Sequence, residues 1–173
     1  PMSCRKLLQT LLKCATGDGN LLMNVGPMPD GTMPPDHVAR LREAGDWLKA
    51  HGEAVYGTRG GPFRNDETGG MTCRGNTIYV HVWDWPAHRV CLPEINARIL
   101  SVYSPTARDL HHEMVDGRLC FSVGEQDRLS LDTLVVLTLD RPAEAVRNND
   151  LPWRLQQTGK GHAALIVEDF LGQ

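Results

Sequence analysis

Gly19-Asn20-Leu21-Leu22-Met23-Asn24-Val25-Gly26-Pro27 is the stretch on which the fold turns. Its centre, 21–25, is a short apolar run without polar alternation, the pattern of a strand buried on both faces in a parallel sheet. Upstream, Leu7, Leu8, Leu11 and Leu12 recur at helical spacing, with Cys4 and Ala15 on the same stripe. Ser3 is placed to cap that helix. Gly17-Asp18-Gly19 is placed to stop it, since glycine tolerates the left-handed backbone that a helix end needs. Downstream, Gly26-Pro27-Met28-Pro29-Asp30-Gly31 breaks the strand and Pro34-Pro35 starts a second helix, where proline loses no hydrogen bond. Val38, Leu41, Ala44, Trp47 and Leu48 stripe this helix, and Gly52 ends it.

Beyond Gly52 the hydrophobic period changes from about 3.6 to 2. Glycines and a proline crowd 56–70, the pattern of a linker. Gly75-Asn76 and Asp116-Gly117 are two-residue hairpin turns between alternating runs. In the first hairpin Ile78, Val80 and Val82 share one face, and Tyr79, His81 and Trp83 the other. Further strands are expected at 90–92, 99–103 and 133–139, the last apolar on both faces and therefore central. Short strands with turns at regular spacing predict an antiparallel sandwich over 71–141 with Ile78, Val80, Val82, Leu119, Phe121, Leu134 and Val136 in its core. The tail 142–173 is loop-like at 148–150, with 163–167 either one more strand or a docked end.

A strand with two helices makes no domain alone, because it has no sheet to join. A (β/α)8 barrel needs about 250 residues, so 1–55 reads as the last strand and flanking helices of such a barrel whose earlier strands lie upstream. The expected fold class is thus an α/β barrel fragment followed by an all-β antiparallel sandwich. The division is 1–55 barrel end, 56–70 linker, 71–141 sandwich and 142–173 tail. Pro1 is expected to be an internal point of a longer chain.

The 173 residues are 41% hydrophobic and 23% charged, near globular averages. No apolar run approaches the roughly 20 residues of a spanning helix. Eighteen basic and 21 acidic residues give a formal charge of −3, with no basic footprint for nucleic acid. Neither a membrane nor a nucleic acid is therefore an expected partner. The five cysteines lack C-x-x-C spacing, so neither a disulfide scaffold nor a structural zinc site is expected, and they read as small buried hydrophobes.

Several segments match a known family in order and at fixed spacing. They are 19–27, Asp30-Gly31-Thr32, Pro34-Pro35, Trp47-Leu48 and Gly52-Glu53-Ala54-Val55-Tyr56-Gly57-Thr58-Arg59. They resemble the C-terminal stretch of the α-L-fucosidases of glycoside hydrolase family 29. The segments 75–82, Asp84-Trp85-Pro86 and 132–137 are similar to that family's C-terminal sandwich, so the resemblance spans about residues 3–141. It implies hydrolysis of α-linked L-fucose from fucosylated glycans with retention, no cofactor, and a secreted, periplasmic or lysosomal setting. Retention needs two carboxyl groups about 5 Å apart. By resemblance both lie on barrel strands upstream, and no motif here matches either. The chain alone is expected to be inactive.

Asn24, polar at the C-terminal end of an apolar strand where such barrels place their sites, is the candidate substrate-binding residue. Asp18, Asp30, Asp36, Glu43, Asp46 and Glu53 read as turn, helix-start and surface residues. His81, Asp84, His88, His111 and His112 read as solvated or hydrogen-bonded. His111 and His112 are adjacent on a strand, so they point to opposite faces and cannot chelate together. Tyr79, Trp83 and Trp85 read as packing residues. An accessory carbohydrate-binding or purely structural sandwich is the alternative, and a binding module would need Trp83 or Trp85 exposed on a platform. With its barrel neighbours missing, the chain is expected to self-associate through 3–55, and a version starting near Tyr56 to be more soluble.

Overall fold

A computed structural model describes residues 2–128, 131–157 and 163–164. In chain order, helices α1 (Cys4–Thr16) and α2 (Pro35–His51) and a short 3-10 turn (Gly52–Ala54) come first. Strands β1 (Arg59–Gly60), β2 (Phe63–Arg64), β3 (Gly69–Arg74), β4 (Thr77–Val82), β5 (Val90–Cys91), β6 (Ile99–Tyr103), β7 (Leu110–Val115) and β8 (Arg118–Val123) follow. The one-turn helix α3 (Glu125–Arg128), β9 (Thr133–Leu139), a 3-10 turn (Ala143–Val146), β10 (Asn148–Pro152), β11 (Gln156–Gln157) and β12 (Ala163–Ala164) complete the described elements.

Two antiparallel sheets form the sandwich, ordered β1-β3-β4-β9-β6 and β5-β8-β7. Both hairpins close at the expected turns. Asp116 and Gly117 both take positive φ, the requirement of a type I′ turn, whereas at the other turn only Gly75 does. The facing sides of the two sheets bury Met71, Ile78, Val80, Val82, Leu119, Phe121, Val135 and Leu137 in one cluster. Leu134 and Val136 are buried but not there. Val80 pairs with Val135 and Ile78 with Leu137, so period two turns Leu134 and Val136 to the opposite face, beside Tyr79 and Ala54. β9 is central, as its two apolar faces require.

That second face of the large sheet is roofed by the helices. Leu8 and Leu12 of α1 and Trp47 of α2 pack against Trp83. Arg5 Nη2 and Gln9 Nε2 donate to the Trp83 carbonyl, and Asn65 Nδ2 donates to the Lys13 carbonyl. Ser3 caps α1 by accepting from the Lys6 N–H. The left-handed residue after α1 is Asp18 rather than a glycine. Its carboxylate takes the Gly60 N–H at 3.0 Å and the Arg59 guanidinium at 2.6 Å. Gly60 must be glycine here, because a Cβ would collide with the backbone of Ala15, Thr16 and Asp18.

The Gly60 N–H, and after it Arg59, hold the Asp18 carboxyl below its ordinary value. A depressed folded-state pKa stabilises the fold fully above the ordinary carboxylate value of about 4 and loses that effect as pH falls through the lowered value. We expect the urea midpoint to drop between pH 7 and pH 3, and to drop less in Asp18→Asn. An equal drop in both would show that this clasp contributes nothing.

Residues 21–25, expected to pair as a parallel strand only beside upstream barrel strands, form no strand and have no backbone hydrogen bond among the described residues. Two other expectations are corrected. The stretch 56–70 is more than a linker, since it supplies β1, β2 and the first residues of β3. Cys91 and Cys120 are not free hydrophobes: they face each other in register on β5 and β8 and form a disulfide. Sequence spacing carries no information on that register. Cys4 and Cys73 are buried free thiols, and burial, then the Glu144 carboxylate, pushes Cys73 up to about 11, so it stays protonated and unreactive at neutral pH.

The tail is structural over its described part. β10 runs parallel beside β2, and Trp153 enters the sandwich core. Of 163–167, Ala163–Ala164 pairs with Gln156–Gln157, and 165–167 lie outside the described residues.

Candidate functional site

Along 21–25 the side chains alternate. Leu21 and Met23 turn toward α1 and α2 and pack beside Cys4, Leu7 and Ala44. Leu22 and Asn24 are exposed, Leu22 at 96%, and Asn24 lines a small cavity with Leu7 of α1 and Arg40 and Leu41 of α2. Burial therefore alternates along 21–25, with Leu22 and Asn24 the more exposed. Leu41, on the expected stripe of α2, is also exposed, as are Met28 and Met33 of the loop between.

The carboxylates of this region have local tasks. Asp30 accepts from the Thr32 N–H and hydroxyl, Asp36 from the His37 N–H, Glu43 pairs with Arg40, and Asp46 with Lys49. Asp18 is the clasp already described, and Glu53 is exposed in the first turn after α2. Of the aromatic candidates, Trp83 is 3% exposed and donates to the Glu67 carbonyl. Trp85 packs edge-on against Phe121 and donates to the Thr133 hydroxyl. Neither forms an open platform. His88 accepts from Arg128, and His111 sits 2.8 Å from Asp109. His112 and Asp84 are exposed.

His81 is the exception. It is fully buried, with Nδ1 2.8 Å from Asp132 Oδ2 and Nε2 3.3 Å from the Thr72 hydroxyl. Thr72 has one hydroxyl proton, and it points at the Ala54 carbonyl 2.5 Å away. His81 thus lies hydrogen-bonded through Nδ1 to Asp132 Oδ2, with Nε2 against the Thr72 hydroxyl oxygen. The chain Asp132–His81–Thr72–Ala54 ties the inner sheet face to the turn that ends α2. The alternation of β4 put His81 on the helix-facing side, but nothing in the sequence pointed to Asp132, 51 positions away. This arrangement is sealed from solvent and positions structure rather than substrate.

Residues 2–53 match the family model described as Alpha-L-fucosidase. An alpha-L-fucosidase of Branchiostoma floridae is 40% identical over 83 residues, covering 46% of this chain and 18% of the relative. The plasma alpha-L-fucosidase of Homo sapiens is 42% identical over 65 residues, covering 38% of this chain and 14% of the relative. Among solved structures, the Thermotoga maritima alpha-fucosidase in complex with a mechanism-based inhibitor superposes with a TM-score of 0.59 at 26% identity, over 79% of this chain and 35% of that one. An alpha-L-fucosidase from Paenibacillus thiaminolyticus shares the fold with a TM-score of 0.70 at 24% identity, over 80% of this chain and 35% of that one. The chain thus spans under a fifth of the length of these curated relatives and about a third of the solved ones.

The class these likenesses define is the glycosidases, hydrolases of sugar linkages. Within it, residues 2–53 match the α-L-fucosidase family model, and the curated relatives that the chain resembles are α-L-fucosidases.

Proposed function

We propose that this chain is the C-terminal portion of a retaining α-L-fucosidase, comprising the last strand and flanking helices of its barrel and the sandwich behind it. The observation that carries the reading is the alternation in 21–25: helices cover Leu21 and Met23, while Leu22 and Asn24 are the more exposed. In a (β/α)8 barrel helices lie outside and the opposite strand face looks inward. Leu22 and Asn24 are then barrel-interior residues, and Asn24, nearest the C-terminal end, is the candidate substrate contact. The substrate of the whole protein is an α-L-fucosylated glycan. The disulfide Cys91–Cys120 fits maturation in an oxidising compartment. The burial of Trp83 and the packing of half-buried Trp85 against Phe121 favour a supporting sandwich over a tryptophan-platform binding module.

The catalytic carboxyl pair lies upstream in this reading, since the acidic residues of the first third are committed to caps, clasps and surface pairs. The 173-residue chain should release no aryl leaving group from an aryl α-L-fucoside, and adding the upstream barrel as a separate chain should restore turnover. Turnover by the chain alone that survives repurification would overturn the proposal. Self-association through 21–25 is best tested with Leu22→Asp, which should lower the apparent mass in light scattering. Starting the chain at Tyr56 is a poorer test than the sequence suggests, because it would strip Leu8, Leu12, Trp47 and Ala54 from the sheet face they cover.

A further inference from the structure

The smaller sheet, β5-β8-β7, has β7 as a free edge. This sheet packs on the face of the larger one that α1 and α2 do not cover. Unpaired N–H and C=O groups on an edge invite another strand, so edges are ordinarily kept short, bulged or interrupted by proline or lysine. The other edges of the sandwich follow that rule. Strands β1 and β5 have two residues each, and β6 is irregular between Ile99 and Ser101. Strand β7 does not follow it. Its six residues run in unbroken register with β8, five of them exposed, with neither proline nor lysine. Among the described residues, no hydrogen bond reaches its outer side.

The ladder fixes which groups are free. The Leu92 N–H donates to the Leu119 carbonyl, so Leu119 directs its backbone toward β5. Cys91 and Cys120 are directly opposed with Cα atoms 4.0 Å apart, the close spacing of a pair that exchanges no hydrogen bonds. Cys120 therefore directs its backbone toward β7 and its partner there, Glu113. Alternation leaves the N–H and C=O of Leu110, His112 and Met114 pointing outward.

We infer that β7 is the seam of a homodimer, pairing antiparallel with β7 of a second copy about a two-fold axis at His112. The two three-stranded sheets then become one continuous sheet. In this register Leu110, His112 and Met114 of one copy face Met114, His112 and Leu110 of the other, so every outward group meets one that is also free. On the opposite face His111 meets Glu113 of the second copy, twice by symmetry. Arg89 already lies 2.8 Å from Glu113 and Asp109 2.8 Å from His111, so the row Arg89, Glu113, His111, Asp109 alternates in sign across the seam. Moving the axis one residue sets Glu113 against itself or Asp109 against Glu113, and like charges directly opposed are destabilising. Any extended segment would find the same backbone groups, but this order of charges is complementary to β7 itself. The seam is a single strand wide, so the dimer should dissociate on dilution. It involves no part of 1–55 and stands or falls separately from the fucosidase reading.

The test uses the full chain carrying Leu22→Asp, so that association through 21–25 does not contribute. Its mass in sedimentation equilibrium should rise with concentration from the monomer value toward twice that value. The amides of 110, 112 and 114 should gain protection from hydrogen exchange over the same range, while those of 111, 113 and 115, already in the β8 ladder, change little. His112→Pro removes an outward N–H and no ladder bond, so it should stay monomeric, with the urea midpoint of dilute protein unchanged. His111→Glu and Glu113→Lys alter only exposed side chains. Each should be monomeric alone, and the two should associate when mixed, because the mixed pair restores opposite charges at both crossings. A monomer at every soluble concentration would overturn the inference. So would a dimer without new protection at 110, 112 and 114, a dimer that survives His112→Pro, or charge variants that associate no better mixed than alone.

Discussion

Replacing Asp132 with alanine should destabilise the chain by about 3–5 kcal/mol, the cost of removing one partner from a buried hydrogen-bonded pair. The argument rests on position. His81 is sealed between the sheet and the helix end, and its two ring nitrogens already meet Asp132 and Thr72. Without Asp132, Nδ1 loses its partner inside a site sealed from water. His81→Ala should cost a similar amount, because it strands the Asp132 carboxylate and leaves a void on β4. The two losses are not independent, so the double variant should lose clearly less than their sum. Filling both positions with apolar residues of similar volume, as in His81→Phe with Asp132→Leu, should recover most of the stability. Urea unfolding followed by tryptophan fluorescence gives all four values. A single-variant loss under about 1 kcal/mol, or strict additivity, would show that the pair does not join the sheet to the helices.

This pair also marks the limit of what the sequence discloses. Local elements were legible wherever backbone chemistry is local. Ser3 caps its helix, Pro34-Pro35 opens the next, and Asp116-Gly117 bends a hairpin whose register follows from its turn. The two faces of β4 were legible from alternation alone. What alternation does not contain is which strand lies beside which. Leu134 and Val136 were assigned to the wrong side of β9 for that reason, and Cys91 and Cys120 were not paired. The same holds for Asp132, which meets His81 only once β9 docks antiparallel beside β4. Residues 21–25 show the converse case. Their sequence specifies a strand buried on both faces, and in the chain Leu22 and Asn24 stay exposed. The segment alternates in burial but is unpaired among the described residues.

The second large effect is expected where the sequence was least informative. Trp153→Ala should cost about 3–5 kcal/mol, the range for deleting a fully buried aromatic side chain. Trp153 is 0% exposed and belongs to the cluster between the two sheets. Its backbone N–H reaches the Arg64 carbonyl at 2.8 Å, and Arg154 stacks over its ring. Gly69 lies so close to that ring that any Cβ there would collide with it and with the His81 carbonyl, so no neighbouring side chain on β3 can fill the gap from that position. Ala143, Val146 and Leu151 also pack into or against this cluster. A chain ending at Arg141 therefore loses core rather than a tail, and should fail to give the cooperative unfolding transition of the full chain. Trp153→Phe, which keeps most of the apolar volume, should lose much less than Trp153→Ala. Near-native stability of the alanine variant, or cooperative unfolding of the chain cut at Arg141, would show that 142–157 only decorates a sandwich complete without it.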